Sequence, residues 1–240
     1  LFATGVIGAS FLTKIGTDSQ KQKYLPEIAN GNLTTCFAFE EGPRHKPIIS
    51  EVTAEKKGKN YIINGKKSFV VDGGFADLII IAAKTSKGPS LFLADKNSKG
   101  IDINIAKMVD SRNSANITFS DLEVSPENIL GEIDQAQDTI EEVLDISRAA
   151  LAAEMLGGAL EAFEITINYL KERGCNNLLW HFNPNDTDSA TNDEFGYLEF
   201  YPGHDYVDIC GRNVNTDDYQ MGENSVNSIK HAIEIAAEAD

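Results

Sequence analysis

The chain has 240 residues, of which 42% are hydrophobic and 24% charged, a composition typical of folded globular proteins. Its 21 basic and 37 acidic side chains give a formal net charge of −16, which disfavours binding to a nucleic-acid backbone or an anionic membrane surface. No apolar run approaches the ~20 residues of a membrane-spanning helix. We therefore expect neither a nucleic-acid partner nor a membrane span.

The charge is distributed unevenly along the chain. Residues 1–173 carry 19 basic and 24 acidic side chains, a net charge of −5, whereas residues 174–240 carry 2 and 13, a net charge of −11. A change of this size indicates that the two segments differ in character and should be interpreted separately.

Neither the cysteines nor the histidines predict a metal centre. The cysteines are odd in number and widely separated, so we expect free thiols in a reducing compartment, the cytoplasm. The histidines of the last quarter lack metal-ligand spacing, and the acidic loop at 186–194 lacks the glycine of a calcium-binding loop. The residues concerned are Cys36, Cys175, Cys210, His181, His204 and His231.

The first 31 residues predict two helices. The opening run LFATGVIGASFLTKIG has apolar residues at helical spacing and no signal-peptide features, so we interpret it as a helix entered partway, with a truncated N-terminus. Thr17 and Gln20 have capping-box spacing, which predicts a second helix that ends near Gly31. Pro26 is expected to interrupt this second helix or to begin a new turn.

From about residue 33 to residue 124, the pattern changes to short runs rich in β-branched and aromatic residues. Eight such runs are separated by turn signals such as Asn64-Gly65. Because no helical pattern intervenes, the runs favour an antiparallel barrel or sandwich over a βαβ sheet. The runs are LTTCFAF, EVTAEK, YIING, KSFVV, DLIIIAA, SLFLAD, IDINIA and NITFSDLEV.

Helical spacing of apolar residues returns across roughly residues 135–172. The alanines that flank this spacing indicate a long helix packed on several sides, as in a helix bundle. Gly157 and Gly158 lie in its middle, where each costs ~1 kcal/mol relative to alanine. Close approach of another helix or a ligand would explain both glycines.

Beyond Arg173 the pattern changes again. A short apolar run at 176–182 precedes a polar loop, a second buried-strand pattern follows at 206–211, and an amphipathic helix starts near Ser225. This order of strand, loop, strand and helix predicts α/β structure.

Several stretches of the first 173 residues, in sequence order, resemble acyl-CoA dehydrogenases. They are QKQKYLPEIANGNLTTCFAF, AEKKGKNYIINGKKSFVVDG, ADLIIIAA, NITFSDLEVSPENILG and DISRAALAAEMLGGALEAFEITINYLKER. The resemblance implies a helical domain, a middle β-barrel and a four-helix bundle that bind FAD and form a homo-oligomer. It also implies α,β-dehydrogenation of an acyl-CoA thioester with hydride transfer to FAD, and an electron-transfer flavoprotein as acceptor.

The resemblance also implies where the cofactor and substrate bind. The family's Trp-x-Thr/Ser motif beside the flavin reads Phe69-Val70-Val71, which keeps an aromatic ring and loses the hydroxyl donor. The motif Thr-Glu-Pro-x-x-Gly-Ser-Asp reads EEGPRHKP at 40–47, where only the second glutamate is kept. The implied cofactor-binding residues are Phe39, Glu40, Glu41, Phe69, Val70, Val71 and Arg173. The implied substrate-binding residues are Asp145 and Arg148 of an Asp-x-x-Arg motif, and Lys46, with Arg44 as an alternative cation for CoA.

Structural interpretations of the same residues stay open. Without the motif, Phe39 and Phe69 would be ordinary aromatics of a β-barrel core, and Arg148 a solvated or ion-paired side chain on a helix. Arg173 falls where the family places an arginine that reaches the FAD diphosphate of a neighbouring subunit.

No catalytic residue is assigned. In the family, the carboxylate that removes the α-proton lies well beyond the first bundle helix, in sequence that this chain does not contain. The usual Gln-Phe-Gly continuation is replaced by the residues GCNN at 174–177. We therefore expect the 240 residues alone to be catalytically inactive.

Residues 174–240 resemble instead the mannan-cleaving glycoside hydrolases of family twenty-six. The matching stretches are RGCNNLLWHFNP, YPGHDYVDICGRN and SIKHAIEIAAEA. The resemblance implies two strands of a (β/α)₈ barrel without either catalytic glutamate, and it places Trp180 and Tyr201 toward sugar, although packing would explain both. A closed barrel needs ~200 residues or more, so we expect this segment to form none.

The sequence thus predicts an α+β fold in four parts. They are the remnant of an N-terminal helical domain (1–31), a middle β-domain (32–132), the first bundle helix (133–173) and an incomplete TIM-barrel-like α/β fragment (174–240). The leading hypothesis is an incomplete acyl-CoA dehydrogenase fused or mis-joined to a piece of mannanase. The alternatives are a non-catalytic module for CoA or flavin binding or for assembly, and a mannan hydrolase-derived chain whose tail is the functional part.

Overall fold

The computed structural model describes residues 2–44, 51–109 and 112–175, together with two short strands within the last quarter of the chain. The chain divides into two compact units, Leu1–Ala159 and Leu160–Asp240. The first unit contains the N-terminal helices, one large sheet and most of a long helix.

The predicted N-terminal helices are both present. A π-helical segment, Phe2–Gly8, runs directly into helix α1 (Ala9–Ile15), and helix α2 spans Asp18–Ala29. The predicted capping box is confirmed, because the Gln20 N–H donates to the Thr17 hydroxyl at 3.2 Å and the Thr17 N–H donates to the Gln20 side chain at 2.9 Å.

The prediction that Pro26 interrupts the second helix is wrong. Helix α2 continues through Pro26 to Ala29, and the Pro26 carbonyl accepts a hydrogen bond from the Asn30 N–H at 2.9 Å. Because Pro26 lies in the last turn, the missing N–H removes a single bond of the helix, and the helix ends a few residues later.

The predicted β-domain forms one mostly antiparallel sheet of eight strands, in the order β6-β7-β3-β2-β4-β5-β8, with β1 also paired to β4. The strands are β1 (Thr35–Ala38), β2 (Thr53–Lys57), β3 (Asn60–Val71), β4 (Leu78–Lys84), β5 (Pro89–Asp95), β6 (Ile101–Lys107), β7 (Asn113–Val124) and β8 (Ile129–Leu130).

Three details of the predicted β-domain are corrected. The sheet is not wholly antiparallel, since β1 pairs with β4 in parallel and β2 meets β4 in parallel at Thr53. The runs YIING and KSFVV form the single strand β3, because the turn signal at Asn64-Gly65 marks a register shift within the strand and not a hairpin. The eighth strand is the short β8, outside the predicted runs.

The two faces of β4 and β5 are buried in different cores. On one face, Ile79, Ile81 and Phe92 pack with side chains of β2, β3 and β7. On the other face, Ile80 and Leu91 pack against the helices. Burial on both faces explains why these two strands are nearly continuous apolar runs in the sequence.

Helix α3 spans Gln137–Glu172, close to the predicted bounds of 135–172. Only its beginning is buried, at Ile140, Val143 and Ser147. A Cβ atom added at Gly157 or Gly158 would have no neighbour within 4 Å in the described part of the chain, so the close approach expected at these glycines is not seen there.

In the second unit, the strands β9 (His181–Phe182) and β10 (Ile209–Cys210) pair in parallel. Each lies within a run predicted to be a strand. A pair of two-residue strands does not support a TIM-barrel-like fragment. The polar loop and the helix predicted near Ser225 lie outside the described residues.

Candidate functional site

The backbone at Phe69 is the most unusual feature of β3. Its φ is 50°, in a left-handed region that bulky residues rarely adopt, and it lies at a register shift between Lys67 and Val70. The Phe69 N–H donates to the Asn116 side chain at 3.2 Å. Strain of this kind at an aromatic residue is a marker of a functional position.

The end of β3 exposes apolar side chains. Phe69 is 54% exposed and Val71 is 40% exposed, whereas Val70 between them is in the core. The turn that follows exposes Phe75 and packs on Ile105 of β6, where a Cβ added at Gly74 would lie 2.9 Å from the Ile105 side chain. We call the exposed side chains of Phe69, Val71 and Phe75 the β3 patch.

A buried ion pair lies beside this patch. The Lys67 Nζ donates to the Glu41 carboxylate and to the Phe39 carbonyl, each at 2.9 Å, and the two side chains of the pair are 0% and 8% exposed. The same carboxylate accepts hydrogen bonds from the Glu51 N–H at 2.9 Å and the Val52 N–H at 3.0 Å. Glu41 is therefore held between β3 and the segment that leads into β2.

Burial lowers the pKa of Lys67 to about 8, although the hydrogen bond and the negative charge of Glu41 act to raise it. The sequence interpretation missed this lysine. The sequence signal for it is the position of Tyr61 and Ile63, which are both buried. Every second residue of a strand faces the same side, so Lys67 faces inward with them if the strand continues.

Among the residues predicted to bind the cofactor, Phe39 is a core aromatic. It is 7% exposed and its ring stacks on Phe37 at a centroid distance of 5.3 Å. Glu40 contributes its backbone carbonyl, which accepts a hydrogen bond from the Ser68 N–H at 2.7 Å. Residues 39–41 therefore run alongside the bulge of β3.

The predicted substrate-binding residues of α3 form an exposed ion pair between Arg148 and Asp145. In the second unit, the Arg173 guanidinium lies over the Tyr169 ring at 4.8 Å. The predicted Lys46 lies outside the described residues, and Arg44, its alternative, is exposed.

Three further groups have perturbed pKa values. Burial, together with the charge of Asp72, raises the pKa of Cys36 to about 12, so this thiol stays protonated. The hydrogen bonds from Lys96 and Thr34 lower the pKa of Asp77 to about 2. The Thr85 hydroxyl, which donates to Asp134 at 2.6 Å, lowers the pKa of that carboxyl, as do the Lys87 and Gly88 N–H groups.

An open cavity of about 430 Å³ lies between β2, β4 and the Asp134 turn, and none of the predicted site residues lines it. In the part of the chain that the structure describes, no three His, Cys, Asp or Glu side chains are arranged to hold a metal ion. The described helices include none with the length and apolarity needed to cross a membrane.

Two family models match the chain. Residues 42–122 match the acyl-CoA dehydrogenase middle domain, which is the part that contains the β3 bulge. Residues 158–239 match glycosyl hydrolase family 26, and this match begins inside helix α3.

Comparisons with individual proteins agree with the first family. The chain is 31% identical to mitochondrial isovaleryl-CoA dehydrogenase of Pongo abelii over 194 residues, covering 71% of this chain and 45% of that protein. It is 32% identical, with a TM-score of 0.67, to a chain in a structure of an electron transferring flavoprotein of Acidaminococcus fermentans, covering 71% of this chain and 47% of that one.

The fold is also similar to that of a glutaryl-CoA dehydrogenase from Mycobacterium smegmatis in complex with FADH2, at 22% identity and a TM-score of 0.66, covering 71% of this chain and 45% of that one. The chain spans about half the length of the curated relatives that it matches. These findings support the acyl-CoA dehydrogenase family for this chain.

Proposed function

We propose that this chain carries the flavin-facing β-domain of an acyl-CoA dehydrogenase and binds FAD at the β3 patch. The observation that carries the proposal is Phe69, an aromatic ring exposed on a strained bulge within the matched middle domain. A protein with this cofactor must provide a surface for the flavin ring, and FAD supplies the hydride acceptor.

The described residues fit the ring of FAD. Phe69 and Val71 expose apolar surface on the same strand, and Phe75 adds a second exposed aromatic ring. Val71 replaces the hydroxyl that the family has at this position, so its side chain offers the ring apolar contact only.

By resemblance, the substrate is an acyl-CoA thioester that undergoes α,β-dehydrogenation, the acceptor is an electron-transfer flavoprotein, and the assembly is a homo-oligomer. Arg148, Asp145 and Lys46 are the proposed substrate contacts, and Arg173 is the proposed contact to the FAD of another subunit. We propose that the 240 residues alone do not turn over substrate, because no residue of the chain corresponds to the family's catalytic carboxylate.

Titration of the purified chain with FAD tests the proposal by calorimetry and by the visible spectrum of the flavin. We expect binding that Phe69→Ala weakens roughly tenfold, since aromatic contacts of this kind contribute about 1 kcal/mol beyond buried area. Phe163→Ala is the matched control, because this α3 ring is 48% exposed and lies outside the patch. No binding by the wild-type chain, or equal weakening by both variants, would contradict the proposal.

Catalysis is a separate question. Adding acyl-CoAs to the FAD-loaded chain is expected to leave the flavin spectrum unbleached, and measurable bleaching would show that the chain is active.

A second candidate function rests on the match of residues 158–239 to glycosyl hydrolase family 26. Retaining hydrolysis needs two carboxyl groups ~5–5.5 Å apart, and no such pair is assigned in this segment. We expect no mannan hydrolysis, and release of reducing sugar from mannan by the purified chain would favour this second function.

A further inference from the structure

The buried lysine beside the β3 patch has no part in the proposed contacts to FAD. Lys67 is fully buried, and its two hydrogen bonds join β3 to the Phe39 carbonyl and the Glu41 carboxylate. Apolar residues of similar volume stabilise a protein core as well as a buried ion pair does, so stability alone gives no reason for the pair.

The geometry of β3 gives a reason for the buried ion pair. Side chains alternate along a regular strand, so an inward Lys67 would be followed by an inward residue 69. Here the register shift makes Lys67 and Val70 the two inward residues, and Phe69 between them is left 54% exposed with a φ of 50°. The outward direction of Phe69 therefore depends on how firmly the residues on either side of it are held.

Those two residues are held in different ways. Val70 is 2% exposed and packs in the apolar core, where several side chains could replace it. Lys67 is held by directed hydrogen bonds to residues 39–41, and the adjacent Ser68 N–H donates to the Glu40 carbonyl at 2.7 Å. These contacts fix the bulge of β3 at one register relative to the segment that follows β1.

We propose that Lys67 is a positioning residue that, through Glu41, keeps the Phe69 ring exposed toward the cofactor. This inference rests on the proposed function, because the proposed function supplies FAD as the ligand of Phe69. Lys67 itself touches no cofactor atom in this scheme and acts through the backbone of the bulge.

Three variants of the full chain test the role of Lys67. Lys67→Met keeps the length of the side chain and removes both hydrogen bonds. The double variant Glu41→Gln with Lys67→Met removes the unpaired buried charge that the single variant leaves, so it should regain most of the lost stability. Lys66→Met is the matched control, because Lys66 is the adjacent lysine and is exposed.

The two quantities to measure are the affinity for FAD, by calorimetry, and the rate at which the Ser68, Glu51 and Val52 amides exchange with deuterium. Both Lys67 variants should bind FAD roughly tenfold more weakly and exchange these amides roughly tenfold faster, a change of about 1.4 kcal/mol in each equilibrium. Lys66→Met should match the wild type in both measurements.

A merely structural lysine would give a different result. A double variant that melts close to the wild type and binds FAD equally tightly would overturn the positioning role. If the wild-type chain binds no FAD, the proposed function fails. The exchange measurement then tests by itself whether Lys67 fixes the bulge of β3. Unchanged exchange of these amides in Lys67→Met would show that Lys67 does not fix the bulge.

Discussion

The side chain of Gln20 joins helix α2 to strand β8, because its amide nitrogen donates to the Ile129 carbonyl at 2.8 Å across a sequence separation of 109 residues. The same nitrogen donates to the Glu127 carbonyl at 2.9 Å, and the amide oxygen accepts from the Thr17 N–H at 2.9 Å. One buried residue therefore caps a helix and attaches it to the sheet.

Gln20→Ala is expected to lower the free energy of unfolding by about 2–3 kcal/mol, because it leaves buried carbonyl groups without a donor and removes half of the capping box. Urea denaturation measures this loss. Gln22→Ala is the control, since Gln22 is exposed on the same helix and its loss should change stability by less than about 0.5 kcal/mol. Equal effects of the two substitutions would contradict the role given to Gln20.

The strained backbone at Phe69 predicts an unusual order of stabilities. Phe69→Gly and Phe69→Ala both remove the ring, but glycine adopts a φ of 50° without the strain of about 1–2 kcal/mol that alanine retains. We expect the glycine variant to be the more stable of the two in urea denaturation, by about 1 kcal/mol.

At Phe75 we expect the opposite order of stability for the glycine and alanine variants. It is 66% exposed and its φ is not positive, so at Phe75 glycine should be less stable than alanine, by about 0.5–1 kcal/mol. If alanine is the more stable substitution at both positions, Phe69 is not strained.

Asp77 predicts a pH dependence of stability. Its pKa is lowered from 3.8 to about 2 in the folded chain, chiefly by the hydrogen bond from Lys96, which measures 2.8 Å, and by those from Thr34. Because the folded pKa is the lower one, the stabilisation is complete above pH 4 and is lost as the pH falls through 2.

Asp77→Asn should therefore lower the melting temperature at pH 7, and the difference from the wild type should shrink as the pH falls through 2. The effect is modest because the Asp77 side chain is 38% exposed. Asp102→Asn, at an exposed position of the edge strand β6, is the control and should show little change at either pH. A difference that persists undiminished at low pH would rule out the titration of Asp77 as its cause.

Local patterns in the sequence predicted most of the fold of the first unit. The capping box at Thr17 and the helical spacing of α3 each depend on residues close in sequence, and both are confirmed. Pro26 misled the prediction because the cost of a proline depends on how many residues of helix follow it. The parallel pairing of β1 with β4 could not be predicted, since it joins residues about forty positions apart.

The motifs predicted the residues of the candidate site, whereas the contacts of those residues depend on packing. The order of the motifs predicted Glu41 and Phe69, and the structure brings both to the bulge of β3. Lys67 was missed because the turn signal at Asn64-Gly65 divided β3 into two predicted runs, so the alternation of Tyr61 and Ile63 was not continued to Lys67. The burial of the Phe39 ring depends on helices distant in sequence, which a motif does not report.

The long helix α3 predicts a sharp change of mutational sensitivity along its length. Ile140 is fully buried against the sheet, whereas Leu156, four turns later on the same helix, is 72% exposed. Ile140→Ala should lower the free energy of unfolding by about 2–5 kcal/mol, because it removes packed atoms and leaves a cavity. Leu156→Ala should change it by less than about 0.5 kcal/mol, as expected at an exposed helical position. Urea denaturation of both variants at several protein concentrations measures the contrast. A loss above 2 kcal/mol at Leu156 would show that this part of α3 is covered in solution, and a dependence of that loss on concentration would identify the cover as a second copy of the chain.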